Sequence, residues 1–186
     1  MIREALALIG ESYRAASTQD IAGNAVAQFI RGDAAQAVRE VLANEHFQVT
    51  GSPGQGNWAD VPWIGIFDPT VTTSATRGFY VVYLFAADMG AVYLTLNQGT
   101  TSVREEFRSQ TLNELRRLAD LMRARLPEAK GVFSPAPIEL KGKTGLPQDY
   151  EAATALSVRY DLADLVEDQQ GSACRKIPNH FVEPTR

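Results

Sequence analysis

The chain is poor in the side chains that do covalent and metal chemistry. It has one cysteine, Cys174, in 186 residues. A lone thiol excludes an internal disulfide and suits a reducing, cytoplasmic compartment. The two histidines, His46 and His180, lie far apart with no acidic partner at a diagnostic spacing. Neither a zinc-ligand set nor a histidine acid–base pair is therefore indicated. No apolar run approaches the roughly 20 residues needed to span a bilayer. The N-terminus carries Glu4 within a short apolar stretch and reads as an amphipathic helix rather than a secretory signal. Phosphate-loop motifs are missing too. The glycines of GSPGQGNW do not lead into Gly-Lys-Ser/Thr, and Gly142-Lys143-Thr144 lacks the upstream glycine that such a loop needs. These absences leave no catalytic residue, metal site or cofactor to assign. They also exclude nucleotide hydrolysis by this chain, and any nuclease or NTPase activity is expected elsewhere.

Basic side chains are outnumbered, 18 against 22 acidic, for a net charge of −4. That balance excludes a simple polycationic nucleic-acid binder. The distribution is uneven, however. Residues 1–100 carry five basic and nine acidic side chains, residues 101–145 nine and six, and residues 146–186 four and seven. A local basic surface holds phosphates even on an acidic protein, because screening limits distant charges to a reach of about 8–10 Å. A solvated helix face explains the same distribution equally simply.

What is present is a globular composition, 45% apolar and 22% charged. The length fits one domain with a real core. Apolar residues at helical spacing (Ile2, Leu6, Ile9, Tyr13) predict a first helix. A second helical stretch is expected from about 20 to 42, broken near Gly32-Asp33, with Ser17, Thr18 and Asp33 as N-caps. Phe47-Gln48-Val49, Trp63–Phe67, Phe79–Ala86 and Ala91–Leu96 read as strands. Asp88-Met89-Gly90 closes the last two into a hairpin. A long helix from about Ser102 to Leu126 follows, with Ser102 and Glu105 as a capping box and Pro127 as its stop. Short elements are expected at Val132-Phe133 and Ile138–Leu140, and a further strand over Tyr150–Tyr160. The reading is a single α+β domain over residues 1–166, an antiparallel or mixed sheet flanked by helices. A polar tail or linker occupies 167–186.

The most distinctive stretch runs from Gly51 to Thr101 and holds both tryptophans. Its glycine-rich loop leads into Asn57-Trp58, and Pro62-Trp63 opens an apolar strand. Glycine permits close backbone approach to a ligand, and aromatic faces stack on planar ones. Period-two alternation puts Trp63, Gly65 and Phe67 on one face and Tyr80, Val82 and Leu84 on one face. If Trp63 and Tyr80 face one another, they bound a slot, with space left by Gly65 and a floor at Leu84. The same residues also read as ordinary core.

Gly54, Gly56, Asn57, Trp58, Pro62, Trp63, Gly78, Phe79 and Tyr80, in this order, resemble the N-terminal DNA-binding domain of McrB-type, modification-dependent (type IV) restriction proteins. The similarity is clear over about residues 50–101 and looser over the flanks. It implies binding to double-stranded DNA, with 5-methylcytosine flipped out of the duplex into a pocket walled by Trp63 and Tyr80. Gly65 and Leu84 would complete that pocket. The loop of Gly54, Gln55, Gly56, Asn57 and Trp58 would press into the vacated space. Gln55 departs from relatives that carry an aromatic wedge there. Arg77, Arg104, Arg108, Lys141 and Lys143 are candidate phosphate ligands. An effector nuclease or motor in a fuller protein would then be targeted by this module, with no membrane partner. Other planar modified bases (5-hydroxymethylcytosine, N4-methylcytosine, N6-methyladenine) fit such a slot as well. An enzyme acting on a flipped base, or a protein-interaction module whose aromatics are all core, are the competing classes.

Overall fold

The computed structural model describes residues 1–129 and 131–167. Cys174, His180 and the expected linker beyond residue 167 lie outside the described residues. Five strands run in sequence order across one sheet: β1 (Gln48–Ser52), β2 (Trp63–Phe67), β3 (Phe79–Phe85), β4 (Ala91–Gln98) and β5 (Leu156–Asp161). Every neighbouring pair is antiparallel. Helices α1 (Ile2–Ala16), α2 (Ala25–Phe29) and α3 (Ala35–Leu42) precede the sheet. Helices α4 (Thr100–Phe107), α5 (Thr111–Ala124) and α6 (Gly145–Ala153) lie between β4 and β5, and α7 (Leu162–Glu167) follows. The architecture is α+β.

Alternation along each strand sorts the sheet into two apolar faces. Ile64, Tyr83, Phe85, Val92 and Leu94 pack on one side against Leu6, Ile9, Ile30, Val38 and Leu162. The expected stripe of α1 is the one that is buried, with Ile2, Leu6, Ile9 and Tyr13 all in this core. The opposite face gathers Phe67, Tyr80, Val82, Leu84 and Tyr93 with Val61, Ile138 and Leu140. A third cluster, Val103, Leu115, Ala152 and Ala153, joins α4, α5 and α6. Buried amides tie this cluster to β4. Gln98 Nε2 donates to the Leu115 carbonyl (2.9 Å), and Asn97 Nδ2 donates to the Tyr150 carbonyl (3.2 Å).

Several local expectations need correction. The second helical stretch begins at Ala25, capped by Asn24, whose Oδ1 accepts from the Val26 amide (2.9 Å). Ser17 and Thr18 instead turn their hydroxyls back onto the carbonyls of Arg14 and Ala15, at the end of α1. The Gly32-Asp33 break is a π turn, Ile30–Ala34, through which the chain stays helical. The long helix is two helices. Arg108 takes a positive φ (+47°, ψ −108°), outside helical geometry, between α4 and α5. Gly99, not Ser102, is the N-cap of α4. The stretch expected as a strand over Tyr150–Tyr160 is helix to Ala153 and strand only from Leu156. Pro147 sits in the first turn of α6, where no intrahelical amide bond is lost, so its presence marks a helix start. Around 132–140 the expected short elements are isolated bridge residues, Phe133 and Ser134, the latter pairing with Ser157.

Candidate nucleic-acid interface

The loop between β1 and β2 is fastened at its base and free at its tip. Tyr13, buried in α1, places its hydroxyl 2.9 Å from the Pro53 carbonyl and 2.7 Å from that of Ala59. Burial pushes the Tyr13 phenol well above its ordinary range, so it stays a neutral donor. The Trp58 ring stands edge-on to Tyr13, centroids 5.2 Å apart, and its Nε1 donates to the Gln19 carbonyl (2.7 Å). Trp58 is thus turned inward as the loop's anchor rather than outward with its tip. Arg31, from the π turn, donates to the Gly54 carbonyl (2.9 Å). Gly54 adopts φ +122°, and a Cβ there would lie 2.1 Å from the Asn57 carbonyl oxygen. Only glycine fits that turn. Gln55, Gly56 and Asn57 form the exposed tip.

Beside this loop lies a cleft of about 620 Å³, within the size range of ligand sites. Trp63, Phe67, Tyr150 and Trp58 supply its aromatic lining, and Gln55 and Asn57 stand at its edge. The β2–β3 connection contributes Thr73, Ser74, Ala75 and Thr76. That connection is closed on itself by the Thr72 hydroxyl, which donates to the Arg77 carbonyl (2.9 Å). Two helix N-termini also reach the cleft. Thr100 and Thr101 begin α4, and Thr144, Leu146 and Pro147 begin α6. Helix N-termini present partial positive charge and unpaired amides.

The register decides how the four expected pocket residues relate. Trp63 pairs with Leu84 and Gly65 with Val82. Tyr80 lies further along the same face, beside Phe67, with ring centroids 5.0 Å apart. A Cβ on Gly65 would meet Phe67 Cζ at 2.7 Å and Trp63 Cζ3 at 3.3 Å. The Phe67 ring therefore occupies the space above Gly65, between Trp63 and Tyr80. Trp63 is half-buried and lines the cleft, whereas Tyr80 and Leu84 are buried behind it. Tyr80 reaches the cleft indirectly, its hydroxyl donating to the Ala75 carbonyl (3.1 Å) of the β2–β3 connection. Burial raises the Tyr80 phenol far above its ordinary value.

The five candidate phosphate ligands separate into distinct environments. Arg77 is exposed next to the cleft-lining Thr76, and its side chain has no partner among the described residues. Lys143 adjoins Thr144, with its amide held by Asp60 (3.0 Å) and its ammonium without a partner among the described residues. Arg104 is engaged by the buried carboxylate of Asp149, Nε to Oδ2 at 3.0 Å. Arg108 is exposed at the far end of α4. Lys141 pairs with Asp88 (2.6 Å) and lines a different cavity, at the β3–β4 turn. Phe67 was placed on the Trp63 face by alternation but not in the pocket, and four other contributors were not singled out from the sequence: Asp60, Tyr150, Arg31 and the Ser/Thr-rich run 70–76. Of these, only that run carried a local signal, a polar cluster between two strands.

The sequence matches the family described as MrcB-like, N-terminal domain, over residues 8–172. No curated protein and no solved structure matches it.

Proposed function

We propose that this chain, which belongs to the MrcB-like, N-terminal domain family, reads a modified base in double-stranded DNA. The family suggests a DNA-binding module of restriction proteins. The finer reading is that the module flips 5-methylcytosine into the cleft and so targets a nuclease or motor carried by a fuller protein.

One observation carries this. Of the aromatics on the sheet face behind the cleft, Phe67, Tyr80 and Tyr93 are buried, while Trp63 is only half-buried and lines the cleft. A core needs no such exposure, whereas a stacking platform does. In this reading Trp63 stacks on the base, Phe67 over Gly65 shapes the wall, and Tyr80 and Leu84 support it from behind. The Gln55–Asn57 tip enters the duplex, braced by Trp58. Arg77 and Lys143, with the α4 N-terminus, take phosphates, and Arg108 adds a contact further out.

Flipping costs a few kcal/mol. Stacking on one aromatic returns roughly 1–3 kcal/mol, and phosphate contacts supply the remainder, which makes binding salt-dependent. The test is binding to matched duplexes, unmodified and 5-methylated, at two salt concentrations, for the wild-type protein and for Trp63→Ala. Selective, salt-sensitive binding that Trp63→Ala abolishes without unfolding the chain is expected. Equal binding of wild type and Trp63→Ala to every duplex would sink the reading.

A further inference from the structure

A cleft that senses the methyl group of 5-methylcytosine faces a problem that the methyl group cannot solve. Thymine carries the same methyl at the same ring position, and it is abundant in any DNA. The two bases differ at N3 and at position 4, where cytosine presents an amine that donates and thymine a carbonyl that accepts. A group at position 4 that accepts and cannot donate separates them.

Most polar side chains lining the cleft are ambivalent. Threonine, serine and tyrosine hydroxyls rotate, and asparagine and glutamine amides flip, so each offers a donor or an acceptor as needed. The exception is Asp60, the one charged residue among those lining the cleft. An ionised carboxylate only accepts. Its orientation is also fixed. Oδ2 accepts from the backbone amides of Lys143 (3.0 Å) and Thr144 (3.1 Å), just ahead of α6. Oδ1 has no partner among the described residues.

Placing a carboxylate in a cleft meant for DNA also works against phosphate binding, since like charges repel. Holding the Lys143–Thr144 turn alone does not require that cost. A neutral amide or hydroxyl oxygen accepts from backbone amides as well, without the charge.

We propose that Asp60 is the specificity-determining residue of the cleft, whose free carboxylate oxygen accepts from the exocyclic amine of the flipped base and rejects thymine. The inference rests on the base-reading function proposed above. It selects the amine-bearing members of the modified-base class: 5-methylcytosine, 5-hydroxymethylcytosine, and the N4- and N6-monomethylated bases, which keep one N–H.

The anchoring amides make the effect of Asp60→Asn directional. The two backbone donors claim the side-chain oxygen of asparagine. The NH₂ then takes the place of the free oxygen and presents donors where an acceptor stood. Asparagine thereby suits the thymine carbonyl and opposes the cytosine amine.

The experiment measures binding of the full chain to duplexes carrying 5-methylcytosine, thymine or 5-methyl-2-pyrimidinone, each opposite an abasic site. Pairing energy then cannot bias the comparison. The last base keeps the methyl and lacks the amine. Wild type is expected to prefer 5-methylcytosine over the other two by about tenfold or more, the scale of a well-made base contact. Asp60→Asn is expected to lower the 5-methylcytosine-to-thymine ratio by at least about tenfold, to unity or past it. The wild-type comparison with 5-methyl-2-pyrimidinone carries the same question without any mutation, should Asp60→Asn fold poorly. Two results overturn the inference while leaving the base reader intact. One is a wild type that selects 5-methylcytosine over cytosine through Trp63 yet binds thymine or the amine-less base equally well. The other is a folded Asp60→Asn with an unchanged ratio. Loss of all dependence on Trp63 and on methylation removes the base-reading function, and this inference with it.

Discussion

Arg104 and Arg77 look alike in the sequence as candidate phosphate ligands, yet the fold gives them opposite jobs. Asp149 is almost fully buried, with its side chain 6% exposed, whereas that of Arg104 is 51% exposed. Removing Arg104 strands a buried carboxylate. Breaking a fully buried pair costs about 3–5 kcal/mol, and an exposed pair contributes about 0–1 kcal/mol. Arg104 is half in solvent, so the cost of Arg104→Ala falls between these, at about 1–3 kcal/mol. For a chain of this size each kcal/mol moves the Tm by about 2–4 °C. Arg104→Ala should therefore melt several degrees lower.

Arg77→Ala strands nothing and should leave the stability within about 0.5 kcal/mol of wild type, so its Tm barely moves. Its effect belongs to DNA binding. A single phosphate contact contributes about 0.9 to the slope of log K against log salt, so Arg77→Ala should flatten that slope by about one. The assay is paired, with thermal melting and binding across a salt series on the same two variants. The reasoning is refuted if Arg104→Ala melts like wild type while flattening the salt slope. That outcome would make Arg104 a phosphate ligand and its ion pair with Asp149 dispensable.

Two further outcomes follow from particular atoms. Gly65→Ala places a Cβ 2.7 Å from Phe67 Cζ, inside contact distance, and Phe67 is buried on a packed face. Overpacking of this kind costs about 1–3 kcal/mol, and the displaced ring should weaken modified-DNA binding beyond what urea denaturation alone accounts for. Unaltered stability and binding would mean that the Phe67 ring does not shape the wall. Asp68 is held at about 2 against an ordinary 3.8, first by the Thr70 hydroxyl and then by His46. A depressed carboxyl stabilises the fold above its unfolded value and loses that contribution as pH falls from about 3.8 towards 2. Asp68→Asn should remove that part of the acid sensitivity, and an NMR titration of Asp68 that centres near 3.8 would contradict the hydrogen-bonded geometry.

The strands of the central meander were legible because each satisfies a local rule. β2, β3 and β4 are short apolar runs rich in β-branched and aromatic residues, and the turn at Asp88–Gly90 announces itself. The face shared by Trp63, Gly65 and Phe67 was equally legible, since alternation is a property of the strand alone. What alternation cannot supply is the register between strands. That register puts Leu84, not Tyr80, opposite Trp63, and so lets Phe67 fill the gap. The long helix after β4 looked continuous because its apolar spacing continues across Arg108. Nothing in that spacing reveals that Arg108 leaves helical geometry. Tyr150–Tyr160 failed for a different reason. An alternating pattern that begins at Ala153 was extended backwards over residues whose helix is marked by Pro147 and follows a turn held by Asp60, a residue far away in the chain. Trp58 was legible as important, but its inward turn depends on Tyr13 and Gln19 of the α1 region.

Charge shows the same limit, and it bears on how an acidic protein engages DNA. The segment 101–145 looked basic when its side chains were counted along the chain. In the fold, many of those cations are already committed. Arg104 goes to Asp149, Arg117 to Glu114, Arg123 to Asp120, and Lys141 to Asp88. A committed cation is neutralised locally and offers a phosphate little, because the partner carboxylate must be displaced first. The uncommitted cations beside the cleft, Arg77 and Lys143, come from segments on opposite sides of α4 and α5. They border the cleft from different sides: Arg77 precedes β3, at the end of the sheet where α4 begins, while the Lys143 amide is held by Asp60, just ahead of β2 and towards the other end. The N-termini of α4 and α6 also line the cleft and add positive potential without any charged residue. The electropositive rim is therefore a product of topology, and net charge along the sequence could neither have located it nor excluded it.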